Sequence, residues 1–92
     1  MIIENLTNHI IVAEGRPIDP TGRRYVSEHV FDTIDIHSDF GSAVIDTEYC
    51  VRSIECFGNL DVVESEEIDD NGHKIIIVKE RQDVLQGNQG SN

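Results

Sequence analysis

The sequence predicts a mainly β fold: a small antiparallel sheet or sandwich of about five to six strands, ending in a β-hairpin. Three observations carry that expectation. Ile and Val together supply 22 residues whereas Ala, Leu and Met supply 6, and branching at Cβ is awkward against a helical turn but fits a pleated surface. Residues 33–40 alternate with period two, Ile34, Ile36 and Phe40 to one side, Thr33, Asp35, His37 and Asp39 to the other. Near the C-terminus two extended runs flank Asn71-Gly72, a turn signal because both residues tolerate positive φ.

The elements follow in order. Residues 1–14 hold two apolar clusters, Ile2-Ile3 and Ile10-Ile11-Val12-Ala13, separated by polar residues, which predicts a strand pair or one interrupted strand. Residues 15–24 contain both prolines and two glycines. Missing amides and the restricted residue before each proline predict a long loop without regular pairing. After the strand at 33–40, Asp39-Phe40-Gly41-Ser42 supplies a turn. Ala43, Ile45, Thr47, Tyr49 and Val51 then share one face, with Asp46, Glu48 and Cys50 on the other. Ile54 and Cys56 break that parity, so a strand continuing past Val51 needs a bulge near Arg52-Ser53. An α+β fold with one helix around 43–57 is the alternative, although Val44, Ile45, Tyr49 and Val51 form no single helical stripe. Gly58-Asn59 interrupts the chain. Residues 60–64 then lead into the final hairpin, 65–72 turn and 74–79 return. The unalternating run 75–78 predicts a strand central in its sheet and covered on both faces.

At 92 residues the chain builds one core, burying roughly 60–65% of its unfolded surface. Residues 1–85 are expected to form a single domain and 86–92, which lack charge and apolar side chains, a disordered tail. Leu, Ile, Val and Phe make up 28 of the residues, too many for a disordered chain. No charged, apolar leader opens the sequence and no apolar run reaches the roughly 18 residues of a membrane helix, so a soluble cytoplasmic protein with Cys50 and Cys56 as reduced thiols is expected. Asn5-Leu6-Thr7 fits the glycosylation pattern and is read as a chance match.

Eighteen Asp and Glu oppose seven Lys and Arg, a formal charge of -11, which excludes a general electrostatic grip on nucleic acid or an anionic bilayer. The excess is local. Residues 31–72 hold twelve acids and one base, Arg52, whereas the flanking segments are nearly neutral. Alternate carboxylates on one face of a strand stand about 6.6–7 Å apart, close to the spacing of successive phosphates along a nucleic-acid strand.

Catalytic and metal signatures are weak. Asp35-x-His37-x-Asp39 puts two carboxylates and an imidazole on one strand face, a donor set suited to zinc or manganese, but a solvated polar face generates the same spacing and no metal or other cofactor is expected. His9, His29 and His73 have no ligand spacing, and neither cysteine belongs to a CxxC pair. Glu66-Glu67 and Asp69-Asp70 sit on an expected exposed turn, where burial does not tune a carboxyl for acid–base work. Asp39-Phe40-Gly41 lacks every other kinase element.

The expected function is therefore a small non-catalytic module that presents Asp46, Glu48, Asp61, Glu64, Glu66, Glu67, Asp69 and Asp70 to a basic surface on another protein. Inhibitors that imitate a phosphate backbone and occupy nucleic-acid channels have this design, and phage inhibitors of restriction or CRISPR systems share the size and charge, an analogy carried by no motif. Tyr25, Phe31 and Phe57 are candidate anchors. Arg16, Arg23 and Arg24 form a secondary contact loop, able to meet an anion or the acidic face of another copy. The alternative is an assembly subunit that forms a homo-oligomer through strand edges and the 15–24 loop.

Overall fold

An extended chain sends successive side chains to opposite faces, and this rule sorts the residues of the strands into a buried set and an outward set. The computed structural model describes residues 1–27, 29–47 and 53–81. Its strands are β1 (Ile2–Asn5), β2 (Ile11–Ala13), β3 (Arg16–Ile18), β4 (Arg23–Tyr25), β5 (Thr33–Ser38), β6 (Gly41–Asp46), β7 (Ser53–Gly58), β8 (Leu60–Ile68) and β9 (Lys74–Glu80). One sheet has the order β4-β1-β9-β8 and the other β3-β2-β5-β6-β7. Ile3, Ile76, Val78 and Val62 of the first share a single core with Ile11, Ile34, Ile36, Ala43 and Ile45 of the second. Each fully buried aliphatic side chain contributes about 1.5–3 kcal/mol relative to exposure.

The mainly β class holds, with more and shorter strands than the five to six expected. In the 43–57 region the described residues other than Thr47 are strand, 43–46 in β6 and 53–57 in β7. Their change of parity reflects a chain reversal, because β6 and β7 are antiparallel neighbours with Ile45 opposite Ile54 and Ala43 opposite Cys56. No bulged continuation is needed. Residues 48–52, including Glu48 and Cys50, lie outside the described residues, as does the expected tail. Sheet pairing is antiparallel except for β1 and β9, which run parallel with Ile3 opposite Ile76. As expected, β9 is interior to its sheet, flanked by β1 and β8.

Residues 15–24 are not a loop. Glu14 and Gly15 have φ values of 49° and 79°, the pair of positive angles a two-residue hairpin turn requires, and they join β2 to β3. Pro17 pairs with Val12 one step from the closing Ala13–Arg16 pair. Alternate pairs of an antiparallel ladder exchange no hydrogen bonds, so an edge strand accepts proline there. Pro20 then leads a turn in which Gly22 N–H donates to the Asp19 carbonyl at 2.8 Å, and Thr21 takes a φ of 66°. The reading failed because proline forbids a hydrogen bond on one edge only.

The two halves of this region are tied down by Asn5, which is fully buried. Its Nδ2 donates to the carbonyls of His9 at 2.8 Å and Ile18 at 2.9 Å, and its Oδ1 accepts from Thr7 N–H at 2.9 Å. Both amide hydrogens are spent inside the fold. A glycan on Asn5 is therefore incompatible with the folded protein, and the Asn5-Leu6-Thr7 match is structural.

The chain passes from one sheet to the other at Gly58. Its φ is 73°, and a Cβ there would stand 2.8 Å from the Phe40 carbonyl oxygen. Its partner Gly41 is close-packed instead, since a Cβ on it would lie 2.5 Å from the Phe57 carbonyl oxygen and 2.8 Å from the Leu60 nitrogen.

Candidate acidic binding surface

Hairpin β8–β9 carries the densest acidic segment, and its turn is shorter than the sequence suggests. Strand β8 runs on to Ile68, which pairs with Lys74 after an irregularity that sets Ser65, Glu66 and Glu67 against Ile75 alone. Such a bulge leaves extra residues outside the ladder. Glu66, Glu67 and Asp70 are consequently exposed. The segment 65–73 contains four carboxylates and no Lys or Arg.

Asp69 differs from its neighbours. Its Oδ1 accepts from the backbone N–H of His73 at 2.7 Å and of Asn71 at 3.0 Å, an arrangement that substitutes a carboxylate for backbone in closing the turn. The His73 amide, helped by that of Asn71 and by the His73 imidazole, holds the Asp69 carboxyl below its ordinary 3.8 against the opposing effect of burial. The imidazole Nδ1 lies 3.4 Å from Asp69 Oδ2, and its ring packs at a tilt of 44° against Tyr25 with centroids 4.7 Å apart. Asp69 thus holds the tip together and fastens it, through His73, to β4.

The remaining expected contact residues fall in different places. Glu64 is bound to Lys74 at 2.6 Å. Asp61 stands opposite Lys79 in the β8–β9 register, on a face away from the core. Asp46 ends β6 on the other sheet, opposite Thr33 and Ser53. There it shares an outer face with Asp35 and Glu55, which flank Val44 across three strands. The described acids of residues 46–70 are therefore divided between the β8–β9 hairpin and the outer face of the other sheet, and β8 alone carries four of them, Asp61, Glu64, Glu66 and Glu67.

Of the three arginines, Arg16 and Arg24 come to one cleft and Arg23 to another. Arg23 makes a 3.4 Å ion pair with Glu4 and lines, with Glu67, Ile68, Asp69 and Asp70, a cleft of about 330 Å³ at the hairpin tip. Arg24 donates to the Pro17 carbonyl at 3.0 Å. Arg16 is exposed on β3 and borders, with Arg24, Tyr25 and Phe31, a second cleft of about 260 Å³. Of the expected anchors, Tyr25 and Phe57 are about half exposed and Phe31 packs against the core.

Asp35 and His37 project from β5 as predicted, but His37 and Asp39 border a cleft with Ile10 and Val12 in which Asp35 takes no part. Among the described residues no group of three or more His, Cys, Asp or Glu side chains is arranged to hold a metal ion. Cys56 is a free thiol, half-buried, whose Sγ accepts from Val62 N–H at 3.3 Å. No helix among the described residues is long and apolar enough to cross a membrane.

Sequence reasoning missed the structural duty of Asp69. Its signal is the spacing Asp69-x-Asn71-Gly72, an Asx turn followed by a residue free to take positive φ. The pairing of Glu64 with Lys74 had no comparable signal, because it depends on the bulge. The chain matches no family model, and neither a curated protein nor a solved structure is significantly similar to it.

Proposed function

We propose that the protein is a small non-catalytic binding module that docks its β8–β9 tip on a basic surface of another protein, in the manner of an inhibitor that takes the place of a phosphate backbone. The observation that carries this reading is the cluster Glu66, Glu67 and Asp70, exposed together around a turn that Asp69 braces. Carboxylates held on a braced turn lose less conformational freedom on binding than carboxylates on a loose one. The cluster also steers encounter with a cationic partner at rates that fall with salt.

The test is charge reversal that spares the brace. Replacing Glu66, Glu67 and Asp70 by lysine while keeping Asp69 leaves the turn closed and removes the acidic face. Pull-down from the native cell at low and high salt is expected to lose a basic, nucleic-acid-binding partner with this variant, and nucleic acid is expected to compete with the unmodified protein for that partner. Retained capture with unchanged salt dependence contradicts the reading.

A further inference from the structure

Edge strands expose unpaired backbone groups and are normally blunted by shortness, proline, lysine or a bulge. Among the described residues the two sheets have four edge strands, of which three are blunted. Strand β3 has three residues with Pro17 in the middle, β4 has three including two arginines, and β8 carries the bulge after Glu64 while the Val62 amide is covered by Cys56 Sγ. Strand β7 differs. It has six residues, contains neither Pro nor Lys, and pairs with β6 in an unbroken register from Ser53 to Gly58.

The direction of its free amides follows from the ladder. Asn59 N–H donates to the Phe40 carbonyl at 2.9 Å, so the hydrogen-bonding positions of β7 toward β6 are 57, 55 and 53. The amides and carbonyls of Ile54, Cys56 and Gly58 point away from β6, and among the described residues no strand pairs with that side. Side chains alternate about this edge: Ser53, Glu55 and Phe57 are exposed, whereas Ile54 and Cys56 pack against the core.

Charge selects the occupant. Strands β5, β6 and β7 contain no Lys or Arg, and Asp35, Asp46 and Glu55 lie on their outer face. A second copy would bring the same carboxylates and a further charge of -11. A cationic strand would set its Lys or Arg beside Glu55 with the alkyl stems over Phe57, and its alternate apolar residues beside Ile54 and Cys56. We propose that the free edge of β7 binds an extended segment of the partner as a sixth strand of its sheet, a segment that alternates Lys or Arg with apolar residues. The inference rests on the basic-partner reading above, and it adds a second contact, on the other sheet from the hairpin tip.

The test uses the full-length, isotope-labelled protein and an eight-residue peptide alternating lysine and valine, with a backbone N-methylated counterpart. Binding is expected to shift the amide resonances of Ile54, Cys56 and Gly58 and to slow their hydrogen exchange. The N-methylated peptide should not bind, and Glu55→Lys should weaken binding about tenfold. If the peptide instead perturbs residues 65–73, equally well when N-methylated, the edge proposal falls while the basic-partner reading stands. If no region binds it at low salt, both fall. Dimerisation by light scattering that protects the same three amides without peptide assigns the edge to a second copy and also overturns the proposal.

Discussion

The Asn5 side chain donates to the Ile18 carbonyl at 2.9 Å, a bond that crosses from β1 in the four-stranded sheet to β3 in the five-stranded one. With the His9 carbonyl and Thr7 amide as its other partners, Asn5 is a fully buried side chain whose hydrogen bonds join three segments of the chain. Burying a polar group unpaired costs about 1–3 kcal/mol. Asn5→Ala is therefore expected to lower stability by about 2–4 kcal/mol, measured by urea unfolding. Asn5→Asp should be still less stable at pH 7 than at pH 4, because an ionised carboxylate would face the His9 and Ile18 carbonyls. A change under ~0.5 kcal/mol for both, the size expected of an ordinary surface substitution, would refute the bridging role.

Gly41 and Gly58 face each other where the chain changes sheets, and they are constrained for different reasons. Gly41→Ala places Cβ against backbone atoms of Phe57 and Leu60, a clash that should cost about 2–3 kcal/mol by overpacking. Gly72→Ala meets nothing within 4 Å but must hold a φ of 82°, at about 1–2 kcal/mol. Gly58→Ala suffers both effects. Thermal midpoints should rank Gly72→Ala above Gly41→Ala, with Gly58→Ala lowest, and a reversed order would show that the sheet crossover yields more easily than its geometry implies.

Thr21 is exposed and holds a φ of 66°, an unfavourable conformation for a β-branched residue. Its backbone N–H is pinned to the Asn5 carbonyl at 2.7 Å, which any residue but proline retains. Thr21→Asn or Thr21→Gly should raise stability by about 0.5–1 kcal/mol, read as a higher urea midpoint at constant slope. A lower midpoint would mean that the threonine side chain makes a compensating contact.

Asp69 gives the hairpin tip an acid-sensitive brace. Its carboxyl is held below the ordinary 3.8 in the folded state, chiefly by the His73 amide, so its contribution is fully present above the unfolded value and disappears as pH falls through the lower folded one. Hydrogen exchange at the Asn71 and His73 amides should accelerate in that acid range relative to amides of β9, after correction for the intrinsic rate. Asp69→Ala should abolish the difference and leave the tip fast at every pH. Indifference of the two amides to that substitution would remove the basis for sparing Asp69 in the charge-reversal variant.

Much of the fold was legible because local pattern and burial agree. Ile34 and Ile36 face the core and Thr33, Asp35 and His37 face solvent, as their alternation requires, and Ala43, Ile45 and Thr47 continue the same logic across the turn. The errors arose where one edge of a strand behaves differently from the other. Pro17 belongs to a strand whose partner needs no amide from it. The expected turn over 65–72 extends β8 by a bulge, since Glu66 and Glu67 are polar enough to resemble a loop yet lie within a strand.

The sequence by itself determined the β class, the central place of β9 and the concentration of negative charge in residues 31–72, because these depend on side-chain branching, period-two alternation and counting. Tertiary structure decided where each of those charges lies and what it touches. It joined Glu64 to Lys74, set Asp69 to closing a turn, sent Asp46 and Glu55 to the opposite sheet, and left Glu66, Glu67 and Asp70 exposed at the tip. The physical reason is that a carboxylate's role follows from the atoms within a few ångströms of it, and those are chosen by strand register, which the run of acids along the chain does not specify.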